Sequence, residues 1–339
     1  MTTNGDATVK VVPVRHYGRW VGAAAALLFI AMLAHTLLSK VPDTTGQLVC
    51  HTTNGHRICQ TPLHWRFFWN VVGQFFTTSE VLHGLVLTLE LTILSMTIGI
   101  VLGVIIAVMR LSHNRLLSAT AWSYTWFFRG TPVYVQLIFW FNIAILFPVI
   151  TIGIPFFHVT FLHFSSVSTF TPFRAALVAF GLNEAAYMSE IARSGLIAVD
   201  EGQTEAATSL GMTRGQTLRF VVLPQAMRVI LPPTGNEVIS MLKTTSLASY
   251  IGVAEVLGVT EYISANNFKV MPLLIVASIW YLIVTTILSI GQFYLERHFA
   301  KGALRSPPMT PVQRLRHDAR GILSKFRTKR DVAVQGTSA

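Results

Sequence analysis

Charge is scarce in this sequence: Asp, Glu, Lys and Arg together make up 12% of its 339 residues, against 52% hydrophobic residues. A chain so apolar does not build an ordinary soluble domain, and its positive mean hydropathy of +0.54 agrees. An integral membrane protein is expected. Cysteine is scarcer still, with Cys50 and Cys59 alone. Two thiols are too few for a metal site, and His51 and His56 between them supply no ligand spacing, so no metal is expected. No G-x-x-x-x-G-K-[ST] run occurs, which removes the usual cradle for nucleotide phosphates. A G-x-S-x-G elbow and an H-E-x-x-H pair are also missing, so no catalytic residue is assigned and no cofactor is expected in this chain.

The net charge of +11 invites a nucleic-acid reading, but its distribution opposes one. Residues 297–330 carry ten Lys/Arg against a single Asp, leaving the rest of the chain nearly neutral. A basic tail beside a membrane body favours the cytoplasmic face and anionic lipid; no nucleic-acid partner is expected.

Apolar runs of spanning length organise the remainder as an all-α, polytopic membrane protein with about six transmembrane helices. Residues 1–19 end in Arg15, His16 and Arg19, which holds this N-terminus inside. Residues 20–38 form the first span, uncleaved because Ser39-Lys40-Val41-Pro42 makes a poor small-residue cleavage site. Residues 39–79 then lie outside, with an aromatic membrane-surface stretch from Trp65 to Phe76. A disulfide between Cys50 and Cys59 is possible there, the alternative being two free thiols.

Later spans follow at about 82–109, 133–150, 172–198, after Leu231-Pro232-Pro233, and at about 271–294. Gly99 and Gly103 permit close helix contact in the second span. In the fourth, Asn183, Tyr187, Glu190 and Ser194 share a face with Glu184 beside it, and Glu190 can pair with Arg193. In the fifth, Asn236, Ser240, Lys243 and Thr244 share a face, with Lys243 expected deep. Ser246 to Ser264, with Gly252 and Gly258, reads as a broken or re-entrant segment.

One polar stretch, residues 198–224, interrupts the apolar pattern. Gln203 to Leu210 are good helix formers, and Gly211 stands where a left-handed residue would end a helix. Thr213 with Gln216 has capping-box spacing, so a second short helix should start there and run until Pro224 interrupts it. Asp200, Glu201 and Glu205 cluster, either as a solvated acidic face or as a docking surface for a cationic partner.

The constellation Glu205-Ala206-Ala207, Gly211, Val221, Leu223 and Pro224 resembles the EAA loop, E-A-A-x3-G-x9-I-x-L-P, of permease subunits of ATP-binding-cassette importers, with Val221 in place of Ile. Arg129-Gly130-Thr131-Pro132 with Gln136, Ala186-Tyr187 with Glu190 and Arg193, Gly202-Gln203, and Lys243 to Leu247 are similar to its polar amino-acid branch. The likeness covers about residues 80–297.

It implies a five-helix type I importer domain over 80–297, with the N-terminal helix and the 298–339 tail as additions. It also implies ATPase subunits docked through Gly202, Gln203, Glu205, Ala206, Ala207, Gly211, Leu223 and Pro224, with ATP and Mg held by those subunits. A second permease chain, identical or not, and an extracytoplasmic substrate-binding protein complete the assembly. The location implied is the plasma (inner) membrane, with the loop and both termini cytoplasmic. Glu184 and Lys243, with Asn183, Tyr187, Thr244 and Gln136, are the pathway candidates. A zwitterionic amino acid needs one group of each sign, although Glu184 and Lys243 would serve equally to neutralise each other. The alternative is an ion-coupled secondary transporter or channel using Glu184 or Glu90, which leaves the 203–224 loop without a purpose.

Overall fold

The computed structural model describes residues 17–42, 49–53, 56–60, 63–65, 68–154 and 159–299. The segment before residue 17 and the basic tail from residue 300 lie outside them, as do the side chains of Cys50 and Cys59. The described chain is helical apart from three two-stranded antiparallel ladders, and it divides into two compact units.

The first unit comprises residues up to Thr78 with Ile263–Val276. Helix α1 (Tyr17–Leu38) has 22 residues and no polar stripe, as a lipid-facing helix requires. Between it and α2 (Trp69–Phe76), strands β1 (Lys40–Pro42) and β4 (Leu63–Trp65) pair around an inner ladder of β2 (Val49–Thr53) and β3 (His56–Gln60). The register sets Cys50 directly opposite Cys59. The Trp69 indole donates to the Leu37 carbonyl at 2.9 Å, which ties the start of α2 to the end of α1.

The second unit holds residues 79–262 and the chain from Ala277. Its axis is the crossing of α3 (Ser79–Arg110) with α8 (Pro172–Ile197). Lipid tails are as apolar as leucine side chains, so such a crossing is held by close van der Waals contact between small residues. Gly99 and Gly103 provide it: a Cβ at Gly99 would stand 2.5 Å from Glu184 Cγ, and one at Gly103 would stand 2.6 Å from Met188 Cβ. On α8 the matching contacts come from Glu184, Ala185 and Met188, and Gly181 lies close against Ile98 of α3 in turn.

Helix α4 (Arg115–Gly130) starts on Asn114, whose side chain accepts from the Leu116 amide at 2.9 Å. Pro132 turns the chain into α5 (Val133–Phe141). The expected third span over 133–150 is shorter than its apolar composition suggests. The helix breaks at Asn142, and α6 (Ile143–Leu146) gives way to a ladder of β5 (Val149–Ile154) with β6 (Val159–Ser165). A one-turn α7 (Ser166–Thr169) leads to α8, which opens with Thr171 as cap and Pro172 in its first turn.

After the polar loop, which contains α9 (Glu201–Ser209) and α10 (Arg214–Thr217), helix α11 runs from Leu223 to Thr244. Two expectations need correction here. Pro224 does not end a helix, because a wide π turn at Leu218–Val222 joins α10 to α11 and leaves the proline in α11's first turn. Likewise Pro232 and Pro233 lie inside α11 rather than ahead of it. The expected break comes further on, where a 3₁₀ stretch over Thr245–Ile251 ends at Gly252, φ +85°. Glu255, fully buried, then caps α12 (Val256–Asn267): its carboxylate accepts from the Gly258 amide at 2.9 Å, from Thr88 at 3.2 Å and from Tyr281 of α13 (Val270–Phe299).

By length and composition, α3 and α13 pass for membrane spans among the described residues. Helices α8 and α11, at 26 and 22 residues, are long enough, at roughly 1.5 Å per residue, but carry the polar groups described next.

Candidate functional site

Two places in the second unit gather the polar residues that an apolar bundle does not need. The first is the loop between α8 and α11. Asp200 caps α9 by accepting from the Gly202 amide at 2.8 Å. At the other end the Gly211 amide bonds the Thr208 carbonyl and the Met212 amide bonds that of Ala207, a Schellman closure, with Gly211 at φ +79°. Thr213 and Gln216 complete the capping box in both directions, at 2.8 and 3.4 Å. Both turns of this elbow are therefore set by local hydrogen bonds.

Within the elbow Ala207 is buried, Glu205 and Ala206 are exposed, and Gln203 meets Gln225 of α11 at 3.2 Å. Leu210, Phe220 and Leu218 stand outward, Leu210 with 83% of its surface free. An acidic side chain flanked by small and exposed apolar residues is chemistry suited to a protein partner.

The second place is a cavity of about 560 Å³ between the α4–α5 joint, α8 and α11. Arg129, Thr131, Asn183, Glu184, Tyr187, Glu237, Ser240 and Thr244 line it. The Arg-Gly-Thr-Pro joint is held in shape by Gln136, whose amide donates to the Thr131 hydroxyl at 2.7 Å and the Phe128 carbonyl at 3.0 Å. Asn183 completes the frame by donating to Phe128 at 2.9 Å and Gln136 at 3.3 Å. The Arg129 guanidinium lies 5.2 Å from the Tyr187 ring centroid. Glu184 is 3% exposed, and its Oε1 has no hydrogen-bond partner among the described residues.

Of the pathway candidates, Asn183, Glu184, Tyr187 and Thr244 meet at this cavity, while Gln136 braces it from behind. Lys243 does not reach it. The residue is exposed on the single chain and forms no ion pair with Glu184 among the described residues. A helix turns about 100° per residue, so a cavity-facing Thr244 leaves its neighbour pointing elsewhere. The cation present is Arg129, and Glu237 is a second carboxylate that sequence reasoning passed over. Its spacing of seven from Thr244 was the available signal. Glu190 pairs with Arg193 at 2.9 Å as expected, and additionally with Arg110 and, at 3.8 Å, Arg129, so one carboxylate joins α3, α4 and α8. Glu90 is exposed on α3.

A helical bundle with a polar cavity and a doubly capped elbow suits a permease subunit of an importer. The chain belongs to the family of binding-protein-dependent transport system inner membrane components, whose model matches residues 99–301. It is thus a membrane-embedded, non-catalytic subunit working with ATPase partners. It is 42% identical to the arginine transport system permease protein ArgU of Corynebacterium glutamicum, over 88% of this chain and 85% of that one. With the probable amino-acid ABC transporter permease protein YckA of Bacillus subtilis it shares 34% identity, over 70% and 97%. A crystal structure of an amino acid ABC transporter with histidines matches at a TM-score of 0.57 and 36% identity, covering 67% of this chain and 98% of that one.

Proposed function

We propose that the chain carries polar amino acids across the membrane through the cavity at Arg129, Glu184 and Glu237. The observation behind this reading is the buried Glu184, which lines the 560 Å³ cavity and has a carboxylate oxygen without a hydrogen-bond partner among the described residues. A buried charge left unpaired costs several kcal/mol, and an arriving ammonium group removes much of that cost. An amino acid also brings a carboxylate, for which Arg129 is the complement. Two carboxylates against one guanidinium leave a surplus negative group, so a cationic side chain fits best. The name of the Corynebacterium relative supports the same class of solute.

In this reading the 203–212 elbow docks on ATPase subunits, which hold the ATP and Mg, and their closure tilts the attached helices to switch the cavity between the two sides. A second permease chain completes the pathway, and an extracytoplasmic binding protein delivers the solute. The elbow and both termini are cytoplasmic. Residues 39–79 lie outside, where the facing register of Cys50 and Cys59 suits a disulfide.

Co-reconstitution with the ATPase and binding protein, followed by uptake of labelled arginine, tests the proposal. Uptake should require ATP and fall in Glu184→Gln while the ATPase stays bound. The second reading, ion-coupled transport through Glu184, draws on the same unpaired carboxylate. Uptake that follows an imposed ion gradient without ATP would decide for it.

A further inference from the structure

Where α3 ends and α4 begins, a second cavity of about 500 Å³ opens, lined by Arg110, Ser112, His113, Arg115, Ser118 and Arg193 among others, with no carboxylate in its wall. Glu190 occupies one edge of the Arg110 and Arg193 guanidiniums, and each has further N–H donors to offer. Arg115 and His113 are exposed, and their side chains have no hydrogen-bond or ion-pair partner among the described residues. The positive end of the 16-residue helix α4 adds to the same field.

The rim of this cavity is apolar. Trp122 closes it and stacks on Trp126 with ring centroids 6.3 Å apart, and both indoles are more than half exposed. Leu111, at 42% exposure, extends the apolar edge. Indole rings favour the headgroup level of a bilayer, and planar guanidiniums favour phosphate oxygens.

From this juxtaposition we infer that the α3–α4 corner binds the phosphate of an anionic phospholipid, with the acyl chains lying along Trp122, Trp126 and Leu111. The inference rests on the proposed orientation, which puts this corner at the inner surface of the membrane. A soluble acidic protein would not need the exposed indole pair. A free phosphate would gain nothing from the leucine edge.

The test uses the assembled permease and ATPase in detergent, with phosphatidylglycerol and phosphatidylcholine as probes and native mass spectrometry as readout. Phosphatidylglycerol should remain bound under detergent washing that strips phosphatidylcholine. Arg115→Gln should weaken that retention roughly fivefold, with Arg115→Lys keeping most of it, and millimolar inorganic phosphate should not displace the lipid. Equal retention of the two lipids, equal retention by wild type and Arg115→Gln, or displacement by inorganic phosphate would overturn the inference. So would an Arg115→Gln effect confined to ATPase or permease assembly. Glu205→Arg, which should detach the ATPase, serves as the separating control. Lipid retention that survives it stands independently of the docking reading, and transport that survives Arg115→Gln stands independently of the lipid.

Discussion

The elbow at 200–224 and the cavity at Arg129, Glu184 and Glu237 are built by opposite means. In the elbow every turn is closed by groups within six residues of one another: Asp200 with Gly202, Gly211 and Met212 with Thr208 and Ala207, Thr213 with Gln216. Its outward side chains stay free for a partner. In the cavity no single segment specifies anything. Arg129 comes from the end of α4, Glu184 from α8 and Glu237 from α11, and Gln136 and Asn183 bring two of those elements together across more than forty residues. The turns of one region are specified by its own neighbouring residues, whereas the other exists only while the helices are packed. Damage should therefore separate cleanly: the elbow should lose partners, and the cavity should lose solute.

The largest effect that would test this division is Glu205→Arg. Reversing a charge proposed to meet a basic partner should cost about 2–5 kcal/mol of assembly, read as loss of ATPase co-purification, with the melting temperature of the isolated permease unchanged. Loss of melting stability would show that the elbow is not self-contained.

Next is Glu184→Gln, which removes a charge-assisted contact of about 1.5–3 kcal/mol. Uptake should fall roughly ten- to a hundredfold with ATPase binding intact. Reduced binding instead would mean that cavity and elbow are not separable.

Gly211→Val should cost about 1–2 kcal/mol, from backbone strain alone, because open space surrounds the position. Weaker ATPase binding at wild-type cavity behaviour is the expected outcome, measured by titrating the two subunits. The smallest effect is that of Lys243→Gln. With its side chain outside the cavity, uptake and substrate preference should change by less than about twofold, within the usual ±0.5 kcal/mol of surface changes. A strong effect would return Lys243 to the pathway.

The same contrast explains what could be read from the amino-acid order. Gly211, Thr213 and Gln216 act within one turn, so their chemistry is visible in the sequence, and the structure has the expected cap and joint there. The Gly99–Gly103 pair also reads correctly as a contact face, although its partner on α8 does not. Residues that act across helices are harder. Lys243 and Glu237 belong to one polar stripe, and choosing between them requires the rotation of α11, which packing fixes. Arg129 reads as a snorkelling residue until Tyr187 is seen beside it. Prolines mislead for a related reason. Pro224, Pro232 and Pro233 mark helix breaks by local rule, but the π turn and the surrounding bundle accommodate them. The short strands at 40–65 and 149–165 lack a long alternating pattern and become visible only when paired.

Adjacent prolines in the middle of α11 have a mechanical consequence. Pro232 and Pro233 offer no amide hydrogens, so two successive rungs of the helix ladder are absent midway between the elbow and Glu237. Under the proposed coupling, the shaft between the ATPase-docking elbow and the cavity is thus compliant at one chosen height. Of a swing imposed below that height, part would be absorbed as bending, and only the remainder would reach the wall at Glu237.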